Sequence, residues 1–126
     1  MQISEKFLYH IWDAQHIKPE LKTISGKTIK IMFQGQFNTD SGPDFKNAIV
    51  QVGDKTSRGD IEIHLKTYDW IAHKHYENSF FNKTILHVVF EHNGKYPFTI
   101  NENGELIEIL ELCNFLDKDI NKLLAQ

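Results

Sequence analysis

Apolar residues near the N-terminus recur at the spacing of one helix face: Phe7, Leu8, Ile11 and Trp12. Ser4 stands where an N-cap is needed, so the pattern predicts an amphipathic helix over residues 4–14. Pro19 falls in a connector. Apolar and polar residues then alternate over Thr28–Phe33, the signature of a strand, which closes near Gly35. A Gly42-Pro43 turn leads into a second strand, Asn47–Val52. The run Gly53-Asp54-Lys55 is turn chemistry and predicts a hairpin with a third strand, Gly59–Lys66.

Beyond it, Asp69 is placed to cap a short helix carrying Trp70, His73 and His75. "TILHVVF", Thr84–Phe90, is apolar on both faces, as suits a strand inside a sheet. Strand, short helix and strand together predict a right-handed βαβ unit. Pro97–Ile100, an Asn103-Gly104 turn and "ELIEILEL" predict a further hairpin. Asn114 is then expected to cap a closing helix with Phe115, Leu116, Ile120, Leu123 and Leu124 on its apolar side. The order α-β-β-β-α-β followed by β-β-α points to an α/β or α+β fold with a mixed sheet.

Length and composition bound this picture without changing it. A chain of 126 residues, 40% hydrophobic and 25% charged, suits one globular domain. It lacks a membrane-length apolar run, and its first residues lack a signal-peptide core. The single Cys113 excludes an internal disulfide and fits a reducing compartment, so a cytoplasmic location is expected. A net charge of −3 argues against a dedicated nucleic-acid coat or a membrane-surface binder. It leaves a nuclease open, because a metal held by carboxylates can meet the phosphate.

The candidate chemistry lies mainly on the third strand. Side chains alternate between faces, so Asp60, Glu62, His64 and Lys66 share one face, and Ile61, Ile63 and Leu65 the other. The ordinary reading of such a strand is a solvated polar face. Three features argue for more. Asp44 opens the preceding strand, where pairing can set it beside Glu62. His87 interrupts a wholly apolar strand and there needs a hydrogen-bond partner or a ligand role. His73 and His75 follow Asp69 closely, but residues two apart do not face each other on a helix. Of the two, His73, at i+4 from Asp69, is the one expected to point inward.

Asp44 and Glu62, with the carbonyl of Ile63, would suit Mg²⁺ or Mn²⁺, while His64 or Lys66 would serve as the basic partner for a metal-bound water. Zinc would instead draw on His64, His73, His75 and His87. The spacing does not choose between the two.

At "GPDF", "GDIEIH", "DW" followed by "HKH", and "ILHVV" the chain resembles the bacterial domain-of-unknown-function 2851 family. The matching residues are Asn38, Asp40–Phe45, Glu62–His64, Asp69-Trp70 with His73 and His75, and Leu86–Val89, within a span from Phe7 to Val89. Members of that family run longer than this chain, which implies an N-terminal domain or a shortened relative. A more distant resemblance is to the restriction-endonuclease-like PD-(D/E)xK superfamily. Its core order is α-β-β-β-α-β, with an aspartate opening the second strand and an acid-x-lysine on the third. Here Pro43-Asp44 is followed, after seventeen residues, by Glu62-Ile63-His64. The resemblance implies a metal at Asp44 and Glu62, His64 in the place of the lysine, and Glu5 as an accessory acid. Histidine is largely neutral at pH 7 and is no simple substitute for an ammonium.

Three functions follow as expectations. The first is a Mg²⁺- or Mn²⁺-dependent nuclease. The second is an inactive nuclease-like module that binds nucleic acid or protein, and the third a histidine-rich zinc hydrolase.

Overall fold

The computed structural model describes residues 2–126. Ser4 opens helix α1, Glu5–Ala14, its Oγ accepting from the Phe7 N–H at 3.1 Å. Leu8, Ile11 and Trp12 are buried along its inner face, so the helix follows the expected apolar stripe.

Eight strands follow: β1 (Leu21–Lys22), β2 (Thr28–Phe33), β3 (Gln36–Phe37), β4 (Phe45–Val52), β5 (Lys55–Lys66), β6 (Thr84–Glu91), β7 (Phe98–Ile100) and β8 (Leu106–Glu111). They form one mixed sheet in the order β1-β2-β4-β5-β6-β8-β7, with β3 beside β4. Pairing is antiparallel from β1 to β5, parallel from β5 through β6 to β8, and antiparallel between β8 and β7. The chain is therefore a mixed α/β fold, and the order α1-β2-β4-β5-α2-β6 is the expected α-β-β-β-α-β succession. Helix α2 is Asp69–Ala72. Among the described residues no helix is long and apolar enough to cross a membrane.

The β4–β5 hairpin runs through Gly53 and Asp54, with Val52 opposite Lys55. Gly53 takes φ 59°, as a type II′ turn asks of its first central residue. Both strands start earlier than the sequence pattern suggested, because pairing carries them past the purely apolar stretches. The two-residue strands β1 and β3 were too short to show any periodicity.

Ile61 and Ile63 of β5 pack with Leu8, Ile11, Trp12, Val88 and Leu110 in the main core. By alternation Asp60, Glu62 and His64 turn to the other face, and all three are buried there. A second apolar group, Trp70, Phe81 and Ile107, is separate from the main core.

The C-terminus departs from expectation. Asn114 ends a 3-10 turn, Leu112–Asn114, and helix α3 begins only at Ile120, capped by Asp119, whose Oδ1 accepts from the Asn121 N–H at 2.8 Å. The intervening residues are held by the segment after α1. The Lys18 N–H donates to the Phe115 carbonyl, the Asp117 N–H to the His16 carbonyl, and Ile17 bridges Leu116. That tertiary pairing outweighs the helical periodicity of Phe115 and Leu116.

Candidate functional site

The loop before β4 delivers Asp44. Asn38 ties it together, donating through its amide to the carbonyls of Ser41 (3.2 Å) and Pro43 (2.9 Å) and accepting from the Asp40 N–H (3.1 Å). Gly42 takes φ 104°, a conformation closed to most side chains. Phe45 lies opposite Ile61, with its ring in the core, and Asp44 arrives beside Glu62. The Asp44 N–H donates to Glu62 Oε1 at 3.2 Å, and the Ile63 N–H donates to Asp44 Oδ2 at 2.7 Å. The two carboxyls are near enough for each to shift the titration of the other.

From Glu62 the cluster continues into histidines. Glu62 Oε2 lies 3.2 Å from His64 Nε2 and 2.8 Å from His75 Nε2. The His64 and His75 rings stack at 5.2 Å, and His73 sits 5.2 Å from His64 by ring centroid. Ligand nitrogens of His64, His73 and His75 all lie within 4.8 Å of one another. Behind His64, its Nδ1 is 2.8 Å from His87 Nε2, and His87 Nδ1 is 2.7 Å from Thr99 Oγ1. On the far side the Tyr9 hydroxyl sits between Asp44 and Glu5, 3.4 Å from Glu5 Oε1.

Burial dominates the electrostatics. It pushes the Asp44 carboxyl up to about 8, assisted by the hydrogen bond to Glu62 and its charge. Burial also pushes Glu62 upward, but hydrogen bonds from His64, His75 and Asp44 outweigh it and leave that carboxyl lowered, to about 2. Tyr9 is raised by burial and by the charges of Asp44 and Glu5. His87, fully buried, is held well below the ordinary imidazole range by desolvation and then by His64, so it is neutral.

The structure thus gathers Asp44, Glu62, His64, His73 and His75, with Glu5 joined through Tyr9 and His87 through His64. Ile63 contributes its N–H to Asp44. Other expected members lie elsewhere. Lys66 pairs with Glu91 on β6, where the parallel register sets the two opposite each other, and not with Glu62. Asp60 is held by Lys46 Nζ (3.2 Å) and the Asn47 N–H (3.3 Å), at a bulge where Asn47 takes φ 60°. The Asp69 carboxylate accepts from the Lys66 N–H at 3.2 Å, and the N-cap of α2 is Tyr68.

The inward histidine is His75, while His73 is exposed at the rim. His73, the C-cap of α2, keeps the helical offset, its N–H donating to the Asp69 carbonyl at 2.9 Å, and Lys74 at φ 58° then reverses the backbone and carries His75 off the helical path. His75 then inserts between Phe81, stacked at 3.7 Å, and the edge of Trp70 at 5.3 Å. Tyr9 and Thr99 escaped the sequence reading. Tyr9 had one signal, its position four residues after Glu5 on the helix, whereas Thr99 had none.

Two surface clefts open on the molecule, and neither is lined by Asp44, Glu62 or the four clustered histidines. One, of about 590 Å³, lies by Arg58, Lys83 and Thr84. The other, of about 670 Å³, is lined by Tyr68, Tyr76 and Tyr96, and its lining also includes Trp70 and Thr99. Those two residues separate it from the histidines, since Trp70 lies 5.2 Å from the His87 ring and Thr99 bonds that ring.

The donor set is compatible with a metal. In tetrahedral coordination with zinc–nitrogen bonds of about 2.0–2.1 Å, neighbouring ligand atoms stand roughly 3.3 Å apart. The Glu62–His64 and Glu62–His75 separations, 3.2 and 2.8 Å, are near that value. Three imidazoles with one carboxylate favour a transition ion such as Zn²⁺ or Mn²⁺ over Mg²⁺, which prefers oxygen.

No curated protein and no solved structure matches the chain significantly. Residues 5–126, well beyond the Phe7–Val89 span of the sequence motifs, match the family described as Protein of unknown function (DUF2851), and the chain belongs to that family.

Proposed function

We propose that the protein is a metal-dependent hydrolase of phosphodiesters, with its ion held by Glu62, His64, His75 and His73. The observation that carries this is the convergence of His64 Nε2 and His75 Nε2 on one oxygen of Glu62, at 3.2 and 2.8 Å. A second argument is electrostatic. Burial and the neighbouring Glu62 keep the proton on Asp44 up to about pH 8, and a divalent ion would balance both groups as carboxylates. The phosphodiester class rests on the α-β-β-β-α-β order and on the sequence resemblance of Pro43-Asp44 and Glu62-Ile63-His64 to the nuclease-like motif.

A bound metal would polarise the phosphoryl oxygen and lower the pKa of its water. The protein's own residues do the rest. His64 and His75 hold Glu62 in place, Asp44 is fixed by the Ile63 N–H at 2.7 Å, and His73 stands on the solvent side. The histidine-rich set favours Zn²⁺ or Mn²⁺ over Mg²⁺, and the Ile63 carbonyl is not needed in it.

One observation favours a second reading, a nuclease-like module without activity. Lys66, the lysine nearest the motif position, is engaged with Glu91. A single experiment separates the two. Purified protein is given Zn²⁺ or Mn²⁺, with binding followed by calorimetry and hydrolysis by release from a chromogenic phosphodiester and from DNA and RNA. Binding and turnover, both lost in Glu62→Gln, are expected. Binding without turnover would favour the inactive module, and absence of binding would overturn the metal reading.

A further inference from the structure

We propose that His87 and Thr99 are positioning residues that hold His64 with its Nε2 turned toward Glu62 and the metal. This role rests on the metal reading above. The chain runs from His64 Nδ1 to His87 Nε2 at 2.8 Å, and from His87 Nδ1 to Thr99 Oγ1 at 2.7 Å. All three residues are buried, with His87 at 0% exposure, so water does not compete for these bonds.

The chemistry of the imidazoles sets the direction. A histidine that ligates through Nε2 carries its proton on Nδ1, and here Nδ1–H has one partner, His87 Nε2. His87 then accepts at Nε2 and must carry its own proton on Nδ1, which donates to the Thr99 hydroxyl. A neutral His87 satisfies this arrangement with one proton. Both of its ring nitrogens are thereby engaged, so His87 supports a ligand and is not itself one. Its place is determined by the sheet. The parallel register sets Glu62 opposite His87, and Thr99 reaches the ring from β7, with β8 lying between β7 and β6 in the strand order. The Trp70 ring at 5.2 Å and 53° leans against His87 and limits its rotation.

Outer partners of metal-bound histidines typically alter affinity by about 10–100-fold when removed. The test measures Zn²⁺ affinity by calorimetry in wild type, Thr99→Val, Thr99→Ser and His87→Leu, with folding checked by urea titration. Thr99→Val is nearly isosteric and should bind roughly 10-fold or more weakly, Thr99→Ser should recover most of the loss, and His87→Leu should bind weakest. Wild-type affinity in folded Thr99→Val and His87→Leu would overturn the positioning role while leaving the metal reading standing. No Zn²⁺ binding by wild type would overturn both. If the variants do not fold, ¹⁵N NMR of the zinc-loaded wild type decides the matter. His87 protonated on Nδ1 is expected, and protonation on Nε2 would refute the chain.

Discussion

The fold shifts the titration of Asp44 and Glu62 in opposite directions, and they act as a pair. Below about pH 2 both carboxyls hold protons whether the chain is folded or unfolded. From about 2 up to the ordinary carboxylate range near 4, the folded pair holds fewer protons than the unfolded pair, so stability rises with pH. From there to about 8 the folded pair holds more, because Asp44 keeps its proton, and stability falls. Asp44→Asn imitates the protonated acid and still offers an acceptor to the Ile63 N–H. In metal-free protein the variant's lead over wild type in urea unfolding should widen from pH 5 to 8, to roughly 1–2 kcal/mol at pH 8, the buried neutral His87 contributing equally to both. Equal pH dependence in the two proteins would exclude a proton held on Asp44. His75 adds a cost of its own: its Nδ1 is buried without a partner among the described residues. An unmet group of that kind lowers stability by about 1–3 kcal/mol, a cost that is intelligible if His75 is kept for binding.

At the scale of elements, the site depends on two pieces of backbone geometry. The first is the close passage of β5 against the start of β6 at Gly59. A Cβ there would meet Ile85 Cγ2 at 2.4 Å and the Lys83 carbonyl at 2.5 Å. Gly59→Ala must therefore push the strands apart just ahead of Glu62. A loss of roughly 1–3 kcal/mol in urea unfolding is expected, together with weaker Zn²⁺ binding. The second is the reversal at Lys74, φ 58°. Proline, restricted to φ near −65°, cannot adopt it. Lys74→Pro should withdraw His75 and weaken Zn²⁺ binding at least about 10-fold, whereas Lys74→Gly, at ease with positive φ, should bind as wild type does. Calorimetry on the two variants distinguishes a placed ligand from an incidental one. Helix and strand periodicity made α1, β2 and β6 legible beforehand. The reversal was not legible, because lysine carries no signal for a left-handed conformation.

For the molecule as a whole, binding at a site that only the folded sheet assembles must stabilise the fold. Zn²⁺ at 100 times its dissociation constant should add about 2.7 kcal/mol. The melting temperature should rise by several degrees, fall back on adding a chelator, and stay unmoved in His75→Ala. A wild-type melting temperature indifferent to Zn²⁺ and Mn²⁺ would count against the site.

The sequence by itself determined the α-β-β-β-α-β order, the burial of Leu8, Ile11 and Trp12, the strand character of "GDIEIHLK" and the pairing of Asp44 with Glu62. Each follows from local periodicity or from a hairpin short enough to read along the chain. Tertiary structure alone decided that His75 rather than His73 turns inward, that Lys66 goes to Glu91, and that Thr99 closes a chain through His87 to His64. Those outcomes depend on parallel pairing across a crossover and on one reversed residue. Neither leaves a periodic trace in the amino acids that carry it.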